Sequence, residues 1–184
     1  MPWFTYDSPL GPLTLVGDDG GLGHLHYPRQ RPPLDPADED PAAFTATGAA
    51  LDRWFAGATR TIDVPLALAG TPLQRRVWAL VAAIPYGTTT TYGALAAALP
   101  ELRRDDPTPT PAQRVAWAIA RTPTPILLPC HRVIGADGRL RGYLGGLDRK
   151  RALLRFEAAG GDPRALRDDG GRATNGVQQQ LALV

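Results

Sequence analysis

Five consecutive residues, Pro129-Cys130-His131-Arg132-Val133, bring a thiol, an imidazole and a guanidinium together. Cys130 is the sole cysteine of the chain, so it has no disulfide partner within the molecule. A lone thiol is most often a small buried hydrophobe. The neighbours support a second reading. A thiol reacts as its thiolate, and adjacent basic or cationic groups lower its pKa from about 8.5. Pro123 and Pro125 push the residues before them toward extended backbone. Ile126-Leu127-Leu128 then predicts a short buried strand, which Pro129 ends by removing a donor. Cys130 is expected where a strand gives way to a turn, with a base beside it, and that is the setting of a nucleophile.

Other stretches with chemical potential are weaker. His24 and His26 alternate with Leu25 and so share one strand face. No cysteine or third histidine lies near them in sequence, so they read as surface residues of a strand and not as a metal site. Gly142-Tyr143-Leu144-Gly145-Gly146-Leu147 is a glycine-rich loop, but it lacks the Lys-Ser/Thr ending of a phosphate-binding P-loop. No nucleotide or redox cofactor motif occurs, and no cofactor is expected.

The elements that must position these residues follow from periodicity and turn chemistry. Residues 1–27 predict a β-meander, with turns at Ser8-Pro9-Leu10-Gly11-Pro12 and Gly17-Asp18-Asp19-Gly20-Gly21. Residues 29–41 read as a loop. Phe44, Leu51, Trp54 and Phe55 carry a helical spacing over 42–55, and Ile62 to Leu66 reads as another short strand. Thr71-Pro72 opens a helix with an N-cap and a first-turn proline. Its stripe is Leu73, Val77, Leu80, Val81 and Ile84. Thr91 caps a helix over 92–99, and Thr110-Pro111 starts another over 112–121. Two short helices in this order suggest a helix-turn-helix. Asp148 is the expected cap of a final helix bearing Arg149, Lys150, Arg151 and Arg155.

A length of 184 residues allows one domain or two small ones. The expected class is α+β. A small strand-rich N-terminal domain with an antiparallel sheet (1–69) precedes a mostly helical C-terminal domain with a helix-turn-helix (70–160), and a poorly ordered tail (161–184) follows. Residues 1–69 hold four Arg and nine Asp/Glu, a net of −5, whereas 70–184 hold sixteen Arg/Lys and nine Asp/Glu, a net of +7. The asymmetry suits a polyanion partner for the C-terminal part, and equally a solvated charged surface. The start of the chain has neither the basic nor the apolar region of a secretory signal. No apolar run is long enough to span a membrane. With a single free cysteine, these features point to a reducing cytoplasm.

Pro129-Cys130-His131-Arg132-Val133, following an Ile/Leu-rich run, resembles the O6-alkylguanine-DNA alkyltransferases, or methylated-DNA–protein-cysteine methyltransferases. Two further blocks are similar to the same family. One is Gly70-Thr71-Pro72-Leu73-Gln74 with Val77-Trp78 and Ile84-Pro85-Tyr86-Gly87. The other runs from Gly142-Tyr143 through Gly145-Gly146-Leu147, Lys150 and Leu153-Leu154 to Glu157. The match covers 70–157 well and the N-terminal part loosely.

The resemblance implies repair of DNA by irreversible, stoichiometric transfer of an alkyl group from O6-alkylguanine, and in some relatives O4-alkylthymine, to Cys130 of the protein itself. Cys130 is then nucleophile and acceptor, and the enzyme acts once. His131 deprotonates it through a water, and Glu157 orients and charge-stabilises His131, a relay analogous to hydrolytic triads. Tyr92 donates a proton to N3 of the leaving base. The carbonyls of Cys130 and Val133 hold the exocyclic amine of guanine, and Tyr143 is the wall on which the flipped base stacks. The second helix of the helix-turn-helix enters the minor groove. The implied partner is double-stranded DNA carrying O6-alkylguanine, bound by a monomer. The zinc-binding cysteines of some relatives are absent, so no metal is expected.

The sequence departs from the family pattern in three ways. The arginine that fills the gap left by the flipped base aligns with Gln113, with Arg114 one residue on. The connection before Gln113 is longer than usual and carries Arg103-Arg104. Trp117 and Thr122 stand where a small residue and an asparagine are usual. A bulky Trp117 facing the groove would hinder approach; facing the core it would be harmless. Two other readings remain at this level: a lesion-binding, alkyltransferase-like sensor without efficient transfer, and a Cys-His hydrolase of unrelated fold.

Overall fold

The computed structural model describes residues 1–102 and 108–167. Arg103, Arg104 and the chain beyond Arg167 lie outside the described residues. The chain opens with an antiparallel sheet of β1 (Trp3–Ser8), β2 (Gly11–Asp18) and β3 (Gly21–His26) in sequence order. Leu15 lies opposite Phe4 on one side and Leu25 on the other. The expected helix over 42–55 is a 3-10 turn at Ala42–Phe44 followed by α1 (Thr45–Phe55). Tyr6 ties β1 to α1 by donating its hydroxyl hydrogen to Asp52 Oδ1 at 2.7 Å. Residues 62–66 do not form the expected strand. Pro65 has no N–H to give to a ladder, and the run contributes one bridge, Leu66 to Leu22.

The second half is mostly helical. Thr71 caps α2 (Pro72–Ala82) in a reciprocal pair with Gln74, as the Thr-Pro start predicts. α3 (Tyr92–Ala97) and α4 (Pro111–Ile119) follow, each capped by the threonine before it. They form the helix-turn-helix pair. β4 (Thr90–Thr91) runs parallel to β5 (Val133–Ile134), with Thr90 paired to Val133 and Thr91 to Ile134. α5 (Leu147–Ala158) closes the fold. It starts after Gly146, so Asp148 is not its cap. Asp148 sits in the first turn, where a negative charge suits the helix N-terminus.

There are two cores, and Tyr143 packs against both. The first joins Leu13, Leu15 and Leu25 of the sheet with Trp54 of α1 and Leu153 and Phe156 of α5. The Trp54 and Phe156 rings pack with centroids 4.9 Å apart. The second joins Val77 and Val81 of α2, Leu95 of α3 and Val115 of α4 with Cys130 and Val133. Residues 161–167 also depart from the expectation of disorder. Pro163–Leu166 is a 3-10 helix, and Leu166 is buried in the first core.

Candidate active site

The segment that carries Cys130 is not a strand. Residues 126 and 127 form a turn, and Ile126 has φ 78°, a left-handed conformation rare for a β-branched residue. The prolines at 123, 125 and 129 leave few donors for a ladder, so the run folds on itself through Leu128 N–H to Thr124 O at 2.9 Å. Leu25 of the sheet donates to Pro123 O at 2.8 Å and anchors it. Cys130–Arg132 is then a single 3-10 turn leading directly into β5. Because β5 pairs with β4, and Thr91 of β4 caps α3, Tyr92 is delivered beside the same turn.

His131 is fully buried, and its Nε2 lies 2.9 Å from Glu157 Oε1. Arg132 engages the same carboxylate through Nε at 3.0 Å from Oε2 and Nη2 at 2.8 Å from Oε1, while its Nη1 donates to Ile84 O at 2.6 Å. Gly87 N–H adds a bond to Oε2 at 3.1 Å. Burial acts to raise the Glu157 pKa. The hydrogen bonds and charges of His131 and Arg132 outweigh it and hold the carboxyl at about 2. Burial lowers the pKa of His131 despite Glu157, so the imidazole is neutral at pH 7. An ionised carboxylate can only accept, so Nε2 carries the hydrogen and Nδ1 keeps a free lone pair. Nδ1 is buried and has no hydrogen-bond partner among the described residues.

The thiol does not have the depressed pKa expected from its neighbours. Burial pushes Cys130 up to about 11, with the Thr122 hydroxyl and the Lys150 charge acting in the opposite direction. Arg132 is committed to Glu157, so the cation acting on the sulfur is Lys150, which sequence reasoning did not place. Lys150 is fully buried and donates to Val133 O at 2.6 Å and Arg141 O at 2.8 Å. Burial brings its own pKa down to about 8, against the pull of Cys130. One signal was available. Lys150 is the sole lysine among twenty basic residues, and it sits seven positions before Glu157, on the same helical face.

Cys130 lines a cavity of about 860 Å³ between α4, Tyr92 and the loop from Gly135 to Leu144. Tyr92 and Tyr143 both face it. Burial raises both phenols above their ordinary pKa, so both are protonated donors. Tyr143 shares a 2.9 Å hydroxyl–hydroxyl hydrogen bond with Tyr27 of the sheet domain. Nearby, Gln30 donates to Leu144 O at 2.6 Å. Gly145 is required here: a Cβ would fall 2.7 Å from the Tyr27 ring. The Cys130 carbonyl accepts from Val133 N–H, and the Val133 carbonyl accepts from Lys150. Each keeps a second lone pair.

The two candidate fingers are placed differently. Gln113 reaches the cavity, but its Oε1 accepts from Thr110 N–H at 2.8 Å in the helix cap. Arg114 lies in a separate depression between α2 and α4, with Nη1 3.4 Å from Leu102 O. Trp117 points outward, 55% exposed, and lines the cavity. His24 and His26 stack on one another at 5.4 Å, away from all of these groups on the outer sheet.

Comparison with known proteins places this architecture. The family model described as "6-O-methylguanine DNA methyltransferase, DNA binding domain" matches residues 72–159. The model for the ribonuclease-like domain of the same family matches residues 1–68. A methylated-DNA–protein-cysteine methyltransferase of Mycobacterium tuberculosis is 43% identical over 155 residues, 83% of this chain and 90% of the relative. Its Methanosarcina acetivorans counterpart is 37% identical, covering 86% of this chain and 99% of its own. The crystal structure of Mycobacterium tuberculosis OGT in complex with DNA superposes with a TM-score of 0.78 at 40% identity, covering 91% of this chain and all of that one. The chain therefore belongs to the methylated-DNA–protein-cysteine methyltransferase family.

Proposed function

We propose that the chain repairs O6-alkylguanine in double-stranded DNA by moving the alkyl group onto Cys130, once per molecule. The observation that carries this reading is the buried His131–Glu157–Arg132 cluster beside a thiol that lines a cavity roomy enough for a purine. A guanine stacked in a duplex cannot present its O6 substituent to a buried sulfur, so the nucleotide must be flipped, at a cost of a few kcal/mol that a poorly paired lesion reduces.

The chemistry follows from the charges. A thiol at about 11 is almost wholly protonated at pH 7. The resting sulfur is thus unreactive, and the thiolate forms only when its proton is taken. His131 Nδ1 is the acceptor, reached through a water. Glu157 stabilises the imidazolium, and Lys150 the thiolate. The sulfur attacks the alkyl carbon, a C–S bond forms, and the carbon–O6 bond breaks with its electron pair passing to the guanine. Tyr92 gives its phenolic proton to N3 of the base, so guanine leaves neutral. The resulting imidazolium and phenolate return to neutrality by exchange with solvent. The second lone pairs on the Cys130 and Val133 carbonyls receive the guanine amine, and Tyr143 stacks on the base. The thioether is stable, and no second cysteine exists to remove the alkyl group.

The relatives' names favour this reading over a sensor that binds lesions without transfer. We further propose that residues 1–69 brace the site while 70–160 bind DNA, that the protein acts as a monomer, and that it works in the cytoplasm. Among the described residues no helix is long and apolar enough to cross a membrane. The test is stoichiometry. With a duplex containing O6-methylguanine in excess, repaired guanine should equal the amount of protein and then stop. Continued turnover, or no repair, would reject the reading.

A further inference from the structure

The chain has four tryptophans, and three are buried: Trp3, Trp54 and Trp78 are 5%, 1% and 2% exposed. Trp117 is 55% exposed, in the last turn of α4. A side chain this large gains by burial, and tryptophan is enriched at interfaces, where its apolar body can be covered while its N–H stays wet. Trp117 borders both the cavity that holds Cys130 and the shallower depression, about 180 Å³, that holds Arg114 and Arg121. The two arginines lie three residues before and four after it, so they flank the indole on one helical face. Arg121 Nη1 donates to the backbone carbonyl of Trp117 at 3.2 Å, which holds its guanidinium at the C-terminal end of α4. Neither candidate finger occupies this place, since Gln113 is held in the helix cap and Arg114 lies outside the cavity.

We infer that Trp117 is an aromatic wedge: its indole stacks on the base exposed beside the flipped nucleotide, with Arg114 and Arg121 on the flanking phosphates. This rests on the repair reading, and its occupant is the duplex itself. An aromatic face between cations is the arrangement that stacks bases while gripping backbone, and large apolar side chains are the usual wedges in unstacked steps. Cation charge on this face complements the phosphates, and the face is continuous with the cavity rim that a flipped base must cross.

The experiment uses the full chain in two measurements. In a Cys130→Ser background, lesion duplex should quench the tryptophan emission, and Trp117→Phe should remove that quenching because the remaining indoles are buried. In the wild-type background, Trp117→Ala should slow single-turnover transfer from duplex by about tenfold, the scale of one lost base–aromatic stack, and Trp117→Phe should restore most of it. The loss with free O6-benzylguanine should be several-fold smaller, since no duplex is opened. Duplex transfer by Trp117→Ala at or above the wild-type rate would make the indole an obstacle and overturn the wedge. Equal losses with both substrates would also overturn it, by assigning Trp117 to the cavity wall. A wild-type protein that reacts with neither substrate removes the repair reading and the wedge together.

Discussion

Glu157 accepts from His131, from Nε and Nη2 of Arg132 and from Gly87, so one buried carboxylate fixes the imidazole tautomer and closes the turn behind Cys130. Its energetic role has a pH signature. The folded carboxyl sits at about 2, below its ordinary 4.5. Between these values the unfolded chain binds more protons, so the stabilisation is complete above pH 4.5 and is lost as pH falls through about 2. The shift corresponds to about 3 kcal/mol. Denaturation measured across this range should show the slope in the wild type and not in Glu157→Gln. At neutral pH the same variant should lose about 3–5 kcal/mol, because Arg132 is left buried without its counter-charge. An unchanged slope would mean that Glu157 is not the group holding the turn. Cys130 and His131 were legible in the sequence because their block is short and chemically specific, and Glu157, 26 residues beyond His131, was legible only through the resemblance of the last block. The state of the thiol was not. Adjacency suggested that Arg132 would act on the sulfur, yet the guanidinium turns to Glu157. The cation that acts on Cys130 comes from Lys150, twenty residues on, and only the fold brings it there.

The elements position these groups through two joints. The parallel pair β4–β5 sets Tyr92 against the Cys-His-Arg turn. The loop between β5 and α5 carries Tyr143, and the sheet domain holds that loop through the Tyr27 hydroxyl and Gln30. Tyr27→Phe keeps the packing and leaves the buried Tyr143 hydroxyl without its partner, at a cost of about 1–3 kcal/mol. Gly145→Ala places a methyl against the Tyr27 ring and should cost about 1–3 kcal/mol through overpacking. Both should slow transfer, and urea denaturation with single-turnover kinetics checks both; wild-type stability in Gly145→Ala would show that the loop yields freely. The capped helices were readable from Thr-Pro starts and apolar stripes, since local chemistry decides them. The expected strands at 62–66 and 126–128 were not, because the first contains Pro65, the second is bounded by Pro125 and Pro129, and an apolar run alone does not reveal whether a ladder partner exists. Disorder beyond Gly160 was inferred from composition, and Leu166 shows how one apolar residue can pin such a segment to a core.

For the whole molecule, the core divides differently from the sequence. Ala152, Leu153 and Phe156 of α5 and Ile126 belong to the same cluster as the N-terminal sheet, while Cys130 belongs to the helical one. Removing residues 1–69 would strip the cover from α5, which carries Lys150 and Glu157. A chain starting at residue 70 should therefore unfold without a cooperative transition and lose transfer, as circular dichroism during heating would show; a cooperative, active fragment would confine the sheet to an accessory role. The charge asymmetry between the halves was plain from composition, but the shared helix was visible only in three dimensions. The central claim is that one sulfur receives the alkyl group. Peptide mass mapping after incubation with duplex O6-methylguanine tests it most directly: the account predicts one added methyl on the peptide containing Cys130 and none anywhere in Cys130→Ala. An unmodified Cys130 peptide with lesion DNA in excess, or a methyl retained in Cys130→Ala, would contradict it.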